Sequence, residues 1–343
     1  MGIGEYYQNT NSDSYQYLNP AHCQEFSQSA IDADIVALNV RAADEDELLD
    51  CLLYSDKLER TNTGRVSGAI LRRYQNLKEG GWICESLDPT THWQTPMDFC
   101  CVKPNQPRIF TEEYTGFGPA PKTKVIKYEN PPKAEARVFY LRVNYRTSRT
   151  IAQKAGFLTE WESRFPTAPD PNTEDVAFWS WVQATPTLEI ILCEGVKKAA
   201  SLLSAGYCAI ALLGVWMGCK KDEQGRSYLH PDIAPLVSYE RPVSICFDND
   251  KKPKARANVW AAQKRLCHCI RSRQLGNKTG GSSQGRGQVS IINLPGEDKG
   301  VDDVIFNQGV GAFDCAFDER IQFEVQRVLR SRRLTQSPDL VLN

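Results

Sequence analysis

Residues 188–195 read LEIILCEG, and the fold turns on this stretch. Leu188, Ile190, Ile191, Leu192 and Cys193 lead without a turn former into one carboxylate, Glu194, and then Gly195. A short apolar run closed by glycine predicts a strand buried on both faces, as in a parallel sheet. Val196, Ala199, Ala200 and Leu203 follow at the spacing of an amphipathic helix. Glu194 therefore stands where a parallel strand hands over to a helix, and open α/β sheets bind their ligands at such carboxyl ends. A lone charge there is costly and calls for a reason.

The same alternation continues downstream. Residues 208–213 (CAIALL) predict a second buried strand, ending in Gly214-Val215-Trp216-Met217-Gly218. Asp232–Val237 is a short helix at best, and Arg241–Phe247 is a third strand that runs into Asp248-Asn249-Asp250. Residues 255–270 form the clearest helix, with Ala255, Val259, Ala262, Leu266 and Ile270 on one face. A Gly, Ser and basic loop (272–287) leads to a fourth strand, Gln288–Leu294, then to Pro295-Gly296 and a segment holding Lys299, Asp302 and Asp303. Strands alternating with helices predict an α/β fold built on a parallel sheet flanked by helices.

Upstream the texture differs. Residues 1–16 are polar and read as a disordered tail. From Pro20 to Tyr54 a small helical lead-in is expected, with Ser29 and Asp32 resembling a capping box and Leu48, Leu49, Leu52 and Leu53 forming an apolar stripe. Two short helices could also read DNA, but no basic recognition face accompanies them. Six prolines between 104 and 132 exclude long helices, and Gly80–Cys84 and Arg137–Val143 read as strands. The basic and aromatic residues of KYENPPKAEARVFYLRVNYR (127–146) suit either an amphipathic strand with one solvated face or a single-strand groove. Trp161, Trp179 and Trp181 mark residues 151–187 as a packed connector. The region 17–150 is thus a small α+β unit, and residues 313–343 a C-terminal helix and basic tail.

The net charge of -1 gives no global pull toward nucleic acid or membrane, so binding must come from local patches. Such patches exist: residues 264–288 carry six basic residues and no acid, and Arg327, Arg330, Arg332 and Arg333 cluster near the C-terminus. They serve phosphate contact or solubility equally well. The longest apolar stretch, Cys208–Met217, is too short to span a bilayer, and the N-terminus has no signal pattern, so a cytoplasmic protein is expected. The 12 cysteines contain no CxxC, and Cys193, Cys208 and Cys246 lie in apolar runs. They read as buried thiols in place of a zinc or disulfide framework.

Three acidic groups thus follow three predicted strands: Glu194, then Asp248 and Asp250, then Asp302 and Asp303. Residues two apart on extended backbone point the same way, so Asp248 and Asp250 are expected to share one focus. Taken singly, each group reads equally as a capping or turn residue. Together, on one sheet edge, they repel unless a cation sits among them. Oxygen ligands without His or Cys suit Mg²⁺ or Mn²⁺, whose usual chemistry is phosphoryl transfer or phosphodiester hydrolysis.

Residues 188–312 resemble a Toprim domain, the α/β module of bacterial primases, topoisomerases, recombination mediators and some nucleases; Glu194-Gly195 and Asp248-Asn249-Asp250 match its two motifs. The ordered set EGVKKA, GVW, RPVSICFDND, LPG and KGVDDVI is similar to a cyanobacterial Toprim-like domain of unknown function found in plasmid and phage-type replication proteins. That similarity extends weakly upstream through SAID and KYENPP. The resemblance implies that Asp248 and Asp250 hold Mg²⁺ and that Glu194 shares the metal or acts as acid or base. It implies that Asp302 completes a second position, and that Lys197, Lys198 and Lys299 meet phosphate. The chain departs from a primase in showing no Cys-rich zinc ribbon ahead of the core, and it carries no GxxxxGK[ST] motor loop. A fragment of a larger replication protein, or an accessory working with a separate helicase or primase-helicase, is expected. Primase-like nucleotidyl transfer on single-stranded DNA or RNA is the leading expectation. A Toprim nuclease and an inactive nucleic-acid-binding or partner-docking module are the alternatives.

Overall fold

The computed structural model describes residues 18–111, 123–276 and 288–336, with side chains to residue 329. The expected disordered tail, most of the basic loop and the end of the basic C-terminus lie outside the described residues.

The chain opens with α1 (Pro20–Ser27), α2 (Ala33–Asn39), β1 (Val40–Ala43) and α3 (Glu45–Leu52). Asp44 and Glu47 form the capping box of α3, and three acids in its first turn suit the positive end of the helix. Ser29 does not cap α2: Asp32 stands at that N-cap without a side-chain bond, while Ser29 Oγ donates to the Glu25 carbonyl. The Ser–Asp spacing failed because the intervening turn places Ser29 on the end of α1. Next come α4 (Gly68–Arg73), β2 (Gly81–Cys84), β3 (Cys101–Pro104) and a separate ribbon, β4 (Arg108–Thr111) with β5 (Thr123–Ile126). Strands β1, β2 and β3 make an antiparallel sheet. Cys51 and Cys100 are paired as a disulfide beneath it, contrary to the all-thiol expectation; Cys193, Cys208 and Cys246 are buried thiols as read.

The connector contributes α5 (Tyr145–Ala155), α6 (Leu158–Glu162) and α7 (Phe178–Ala184), and buries Trp161, Trp179 and Trp181. It hands over to β6 (Ile190–Glu194), α8 (Val196–Ser204), β7 (Ala209–Leu212), the small ribbon β8 (Cys219–Lys221) and β9 (Ser227–Leu229), and β10 (Val243–Cys246). The chain ends with α9 (Pro253–Gly276), β11 (Val289–Ile291), α10 (Val301–Gln308), α11 (Val310–Asp318), β12 (Ile321–Gln322) and α12 (Phe323–Gln336).

The main sheet has the order β12-β11-β10-β6-β7. The four strands anticipated from sequence run parallel, and β12 joins antiparallel, so the fold is mixed α/β. A two-residue edge strand has no period to read, which is why the pattern did not announce it. Arg137–Val143 is likewise not a regular strand. Val138–Leu141 are buried, with Phe139 bridging Ala211 of β7, so this part of the 127–146 stretch offers neither a solvated face nor a groove, while Lys127, Tyr128, Lys133 and Glu135 ahead of it are exposed. One apolar core runs from Phe26, Ile35 and Trp82 through Phe139 and Trp179 to Ile190 and Ile245. No helix among the described residues is long and apolar enough to cross a membrane.

Two buried polar groups fix how these parts meet. Arg241, 1% exposed, donates to the carbonyls of Leu236, Leu188 and Val182 at 2.5 Å each, and burial depresses its pKa. One guanidinium thereby joins the end of α7, the approach to β6, and the start of β10. His230 Nε2 bonds the Ala136 carbonyl at 2.9 Å, while Nδ1 accepts from the Asp232 N–H at 3.1 Å. Both bonds together require the neutral ring protonated at Nε2.

Replacing Arg241 by Met is expected to strand three buried carbonyls and cost about 3 kcal/mol or more, read as a lower denaturant midpoint. Burial holds the His230 pKa below its ordinary 6.5, against the pull of Asp232. Its contribution is therefore complete above that value and lost as pH falls below it toward the lowered native pKa. The thermal midpoint should drop from about pH 7 to about pH 5 more steeply in the native chain than in His230→Gln; parallel slopes would contradict this assignment.

Candidate acidic site at the sheet edge

The site lies at the carboxyl ends of β6 and β10. Chain order reverses between these strands, since β7 joins one side of β6 and β10 the other. Crevices of this kind are where open α/β sheets take ligands. Cys193 pairs with Cys246, so Glu194 ends one strand and Asp248 lies just past the other. Gly195, at φ 93°, makes the turn into α8, a conformation that side chains with a Cβ rarely adopt. That is the physical content of the Glu-Gly pair. Gly300 caps α10, where a Cβ would come within 2.6 Å of Lys198 Cε and also meet the Asp302 carboxylate. Its bareness lets Asp302 and Lys198 pack together.

Glu194, Asp248, Asp302, Lys197, Lys198 and Lys299 line one cavity of about 360 Å³. All the candidate residues named from sequence meet there except Asp250. After β10 the chain leaves the sheet, and the Asn249 N–H bonds the Lys299 carbonyl at 2.8 Å. Asp248 and Asp250 both reach the Lys299 ammonium, at 3.2 and 4.0 Å, while Asp250 stays outside the cavity lining. Asp303 plays a separate part: its carboxylate accepts the Gly300 N–H at 2.9 Å and caps α10.

The electrostatics are those of crowded acids held by lysines. Burial raises the Glu194 pKa, with Asp248 adding to the rise and Lys198 and Lys299 opposing it. Burial also raises that of Asp302, against the pull of Lys198. Lys198 is half-buried among them: desolvation would lower its pKa, but Asp248, Asp302 and Glu194 together raise it. Its Nζ lies 3.1 Å from Asp248 Oδ1, on a residue 8% exposed, so a buried carboxylate oxygen is met by the lysine's charge. Lys197 turns away to Glu25 (3.1 Å) and Ser29 (2.9 Å), which makes it a tie to α1. Lys299 pairs with Asp248 at 3.2 Å and is 63% exposed at the mouth. Among the described residues no three of His, Cys, Asp or Glu stand together as a ready cation cage; Lys198 occupies the space between the carboxylates.

The opposite wall comes from the N-terminal region, as Cys101, Tyr128 and Asn130. Sequence reasoning did not assign these to the site, although Tyr128 and Asn130 lie in the KYENPP stretch it had singled out. A larger cavity of about 480 Å³, lined by Tyr145, Trp161 and Phe165, holds no acid cluster, and its Arg149 is paired with Glu162.

Residues 178–312, which include all these acids, match the model of a family described as a domain of unknown function (DUF3854). An uncharacterized protein of Picosynechococcus sp. is 32% identical over 337 residues, covering 95% of this chain. The chain spans about 30% of that relative's length. Among solved structures, the zinc-binding and RNA polymerase domains of the Aquifex aeolicus primase are similar at a TM-score of 0.47 and 15% identity, over 94% of this chain and 62% of that one.

Lys198→Met should leave the carboxylates facing one another without a buried cation and cost about 3 kcal/mol at neutral pH. Added Mn²⁺ is expected to recover more of the melting temperature in this variant than in the native chain. An unchanged melting temperature would refute the role given to Lys198.

Proposed function

We propose that this chain is a Toprim-type enzyme dependent on Mg²⁺ or Mn²⁺ that acts on nucleic acid, with primase-like nucleotidyl transfer as its reaction. The observation that carries the reading is the convergence of Glu194, Asp248 and Asp302 in one cavity at the point where the strand order reverses. Like charges collect at a buried edge at a cost, and function is the usual reason for that cost.

The donor chemistry suits a hard divalent ion, although among the described residues the carboxylates are not gathered as a ready cage. The donors are all oxygens, and the buried Asp248 Oδ1 faces the Lys198 ammonium at 3.1 Å, a cation that a metal would replace. Asp248 and Glu194 would hold the ion, Asp302 would support it, and Asp250, which reaches the same Lys299 ammonium as Asp248, would add a carboxylate beside them. The ion, when bound, neutralises charge developing on transferring phosphoryl oxygens. Lys299 at the mouth is placed to meet phosphate as a point charge. The template would be single-stranded DNA or RNA, with nucleoside triphosphates as substrate and a separate helicase or primase-helicase as partner.

One observation favours a second reading, an inactive nucleic-acid-binding module. Lys198 and Lys299 already compensate the acids, so the cluster can stand without a metal. Titration calorimetry of Mn²⁺ into the native chain and into the Asp248→Ala, Asp250→Ala double variant separates the two. Binding in the native chain and its loss in the variant are expected, followed by template-dependent nucleotide incorporation on single-stranded DNA. Absence of Mn²⁺ binding even with nucleic acid present would sink the enzyme reading, and cleavage without incorporation would replace polymerisation by a nuclease.

A further inference from the structure

The cavity has two chemically unlike walls. One carries the carboxylates and lysines; the other carries a phenol ring, an amide and a thiol, from Tyr128, Asn130 and Cys101, with no charge. A ligand that used the ionic wall alone would leave the second wall without a purpose.

That second wall is built rigidly. Glu129, between its two polar residues, exchanges backbone hydrogen bonds with Val102 at 2.8 and 2.9 Å. Its carboxylate takes two bonds from the buried Arg108 guanidinium, at 2.6 and 3.0 Å. Asn130 Nδ2 donates to the Cys100 carbonyl at 3.0 Å. The Tyr128 ring meets Trp82 edge-on, 5.9 Å between centroids, and remains 39% exposed. An aromatic face is thus held in place beside an ionic cluster, and such preorganisation lowers the ordering cost of binding.

The ligand that uses both walls is flat and aromatic at one end and anionic at the other. A cavity of about 360 Å³ admits a small molecule of that kind and excludes a duplex. We infer that Tyr128 and Asn130 form a nucleobase subsite, which takes the base of a single nucleotide on the Tyr128 ring while its phosphates lie toward Lys299 and the carboxylates. This rests on the metal-dependent reading above and assigns its substrate, a nucleoside triphosphate, a place. Selectivity among bases is weak in such a subsite, because every base has a π-face.

The test compares ATP with inorganic tripolyphosphate, which has the charge and lacks the base. Binding of each to the full chain is measured with saturating Mn²⁺ for the native protein, Tyr128→Phe and Tyr128→Ala. Stacking on an aromatic side chain is worth roughly 5- to 150-fold per base, so native ATP affinity should exceed that of tripolyphosphate by about tenfold or more. Tyr128→Phe keeps this advantage and Tyr128→Ala loses it. Unchanged Mn²⁺ and tripolyphosphate binding in Tyr128→Ala shows that the variant is folded and the acids intact. Equal affinities for the two ligands in the native chain, or an ATP affinity untouched in Tyr128→Ala, would overturn the subsite and leave the metal reading standing. Absence of Mn²⁺ binding in the native chain overturns both.

Discussion

The acidic site depends on one buried cation that lies far from the chemistry in sequence. Arg241 carries a full charge into the core, and among the described residues no carboxylate lies against it. Its partners are backbone carbonyls at the end of α7, before β6 and before β10, and the carbonyl of Arg241 accepts from Gln274 of α9. A guanidinium presents its donors in a rigid planar fork, so it fixes angles as well as distances. The β6–β10 pairing begins directly beyond it, at Ile190 with Val243. The far ends of these strands, four and five residues on, present Glu194 and Asp248. Strand register is set at one end of the sheet and used at the other.

At the used end, the balance of charge is the governing constraint. Glu194, Asp248 and Asp302 cannot share a partly dry cavity as bare anions, and Lys198 and Lys299 make the assembly stable. A divalent ion would compete with Lys198 for the same oxygens. On the proposed reading the lysine would act as a charge reserve, keeping the carboxylates gathered without a metal and ceding Asp248 Oδ1 to one. This also accounts for Gly300, since any Cβ there would push Lys198 away from its place.

How much of this was legible follows from the range of each signal. Local signals read well: the buried run before Glu194 and the α9 face each declare themselves within a few residues. Signals that depend on a neighbouring backbone do not. Asp250 was expected to share one focus with Asp248; both reach the Lys299 ammonium, but of the two Asp248 alone lines the cavity. Residues 127–146 were expected to read as a strand with one wet face, yet Val138–Leu141 within them are buried. Lys197 and Lys198 are adjacent in sequence and alike in character. Only the fold sends one to Glu25 and the other to the acids.

The N-terminal region belongs to the site for the same reason. Glu25 of α1 takes Lys103 of β3 at 2.6 Å and Lys197 of α8 at 3.1 Å, so a single carboxylate joins the antiparallel sheet to the helix that follows the Glu-Gly turn. The apolar core is continuous across that junction. A wall set by β3 and the segment after β5 therefore cannot shift relative to Glu194 without breaking both the ion pairs and the core. Packing of this kind turns two sequence regions of unlike texture into one cavity, with stacking chemistry on one side and charge on the other. Neither region, read alone, contains a complete site.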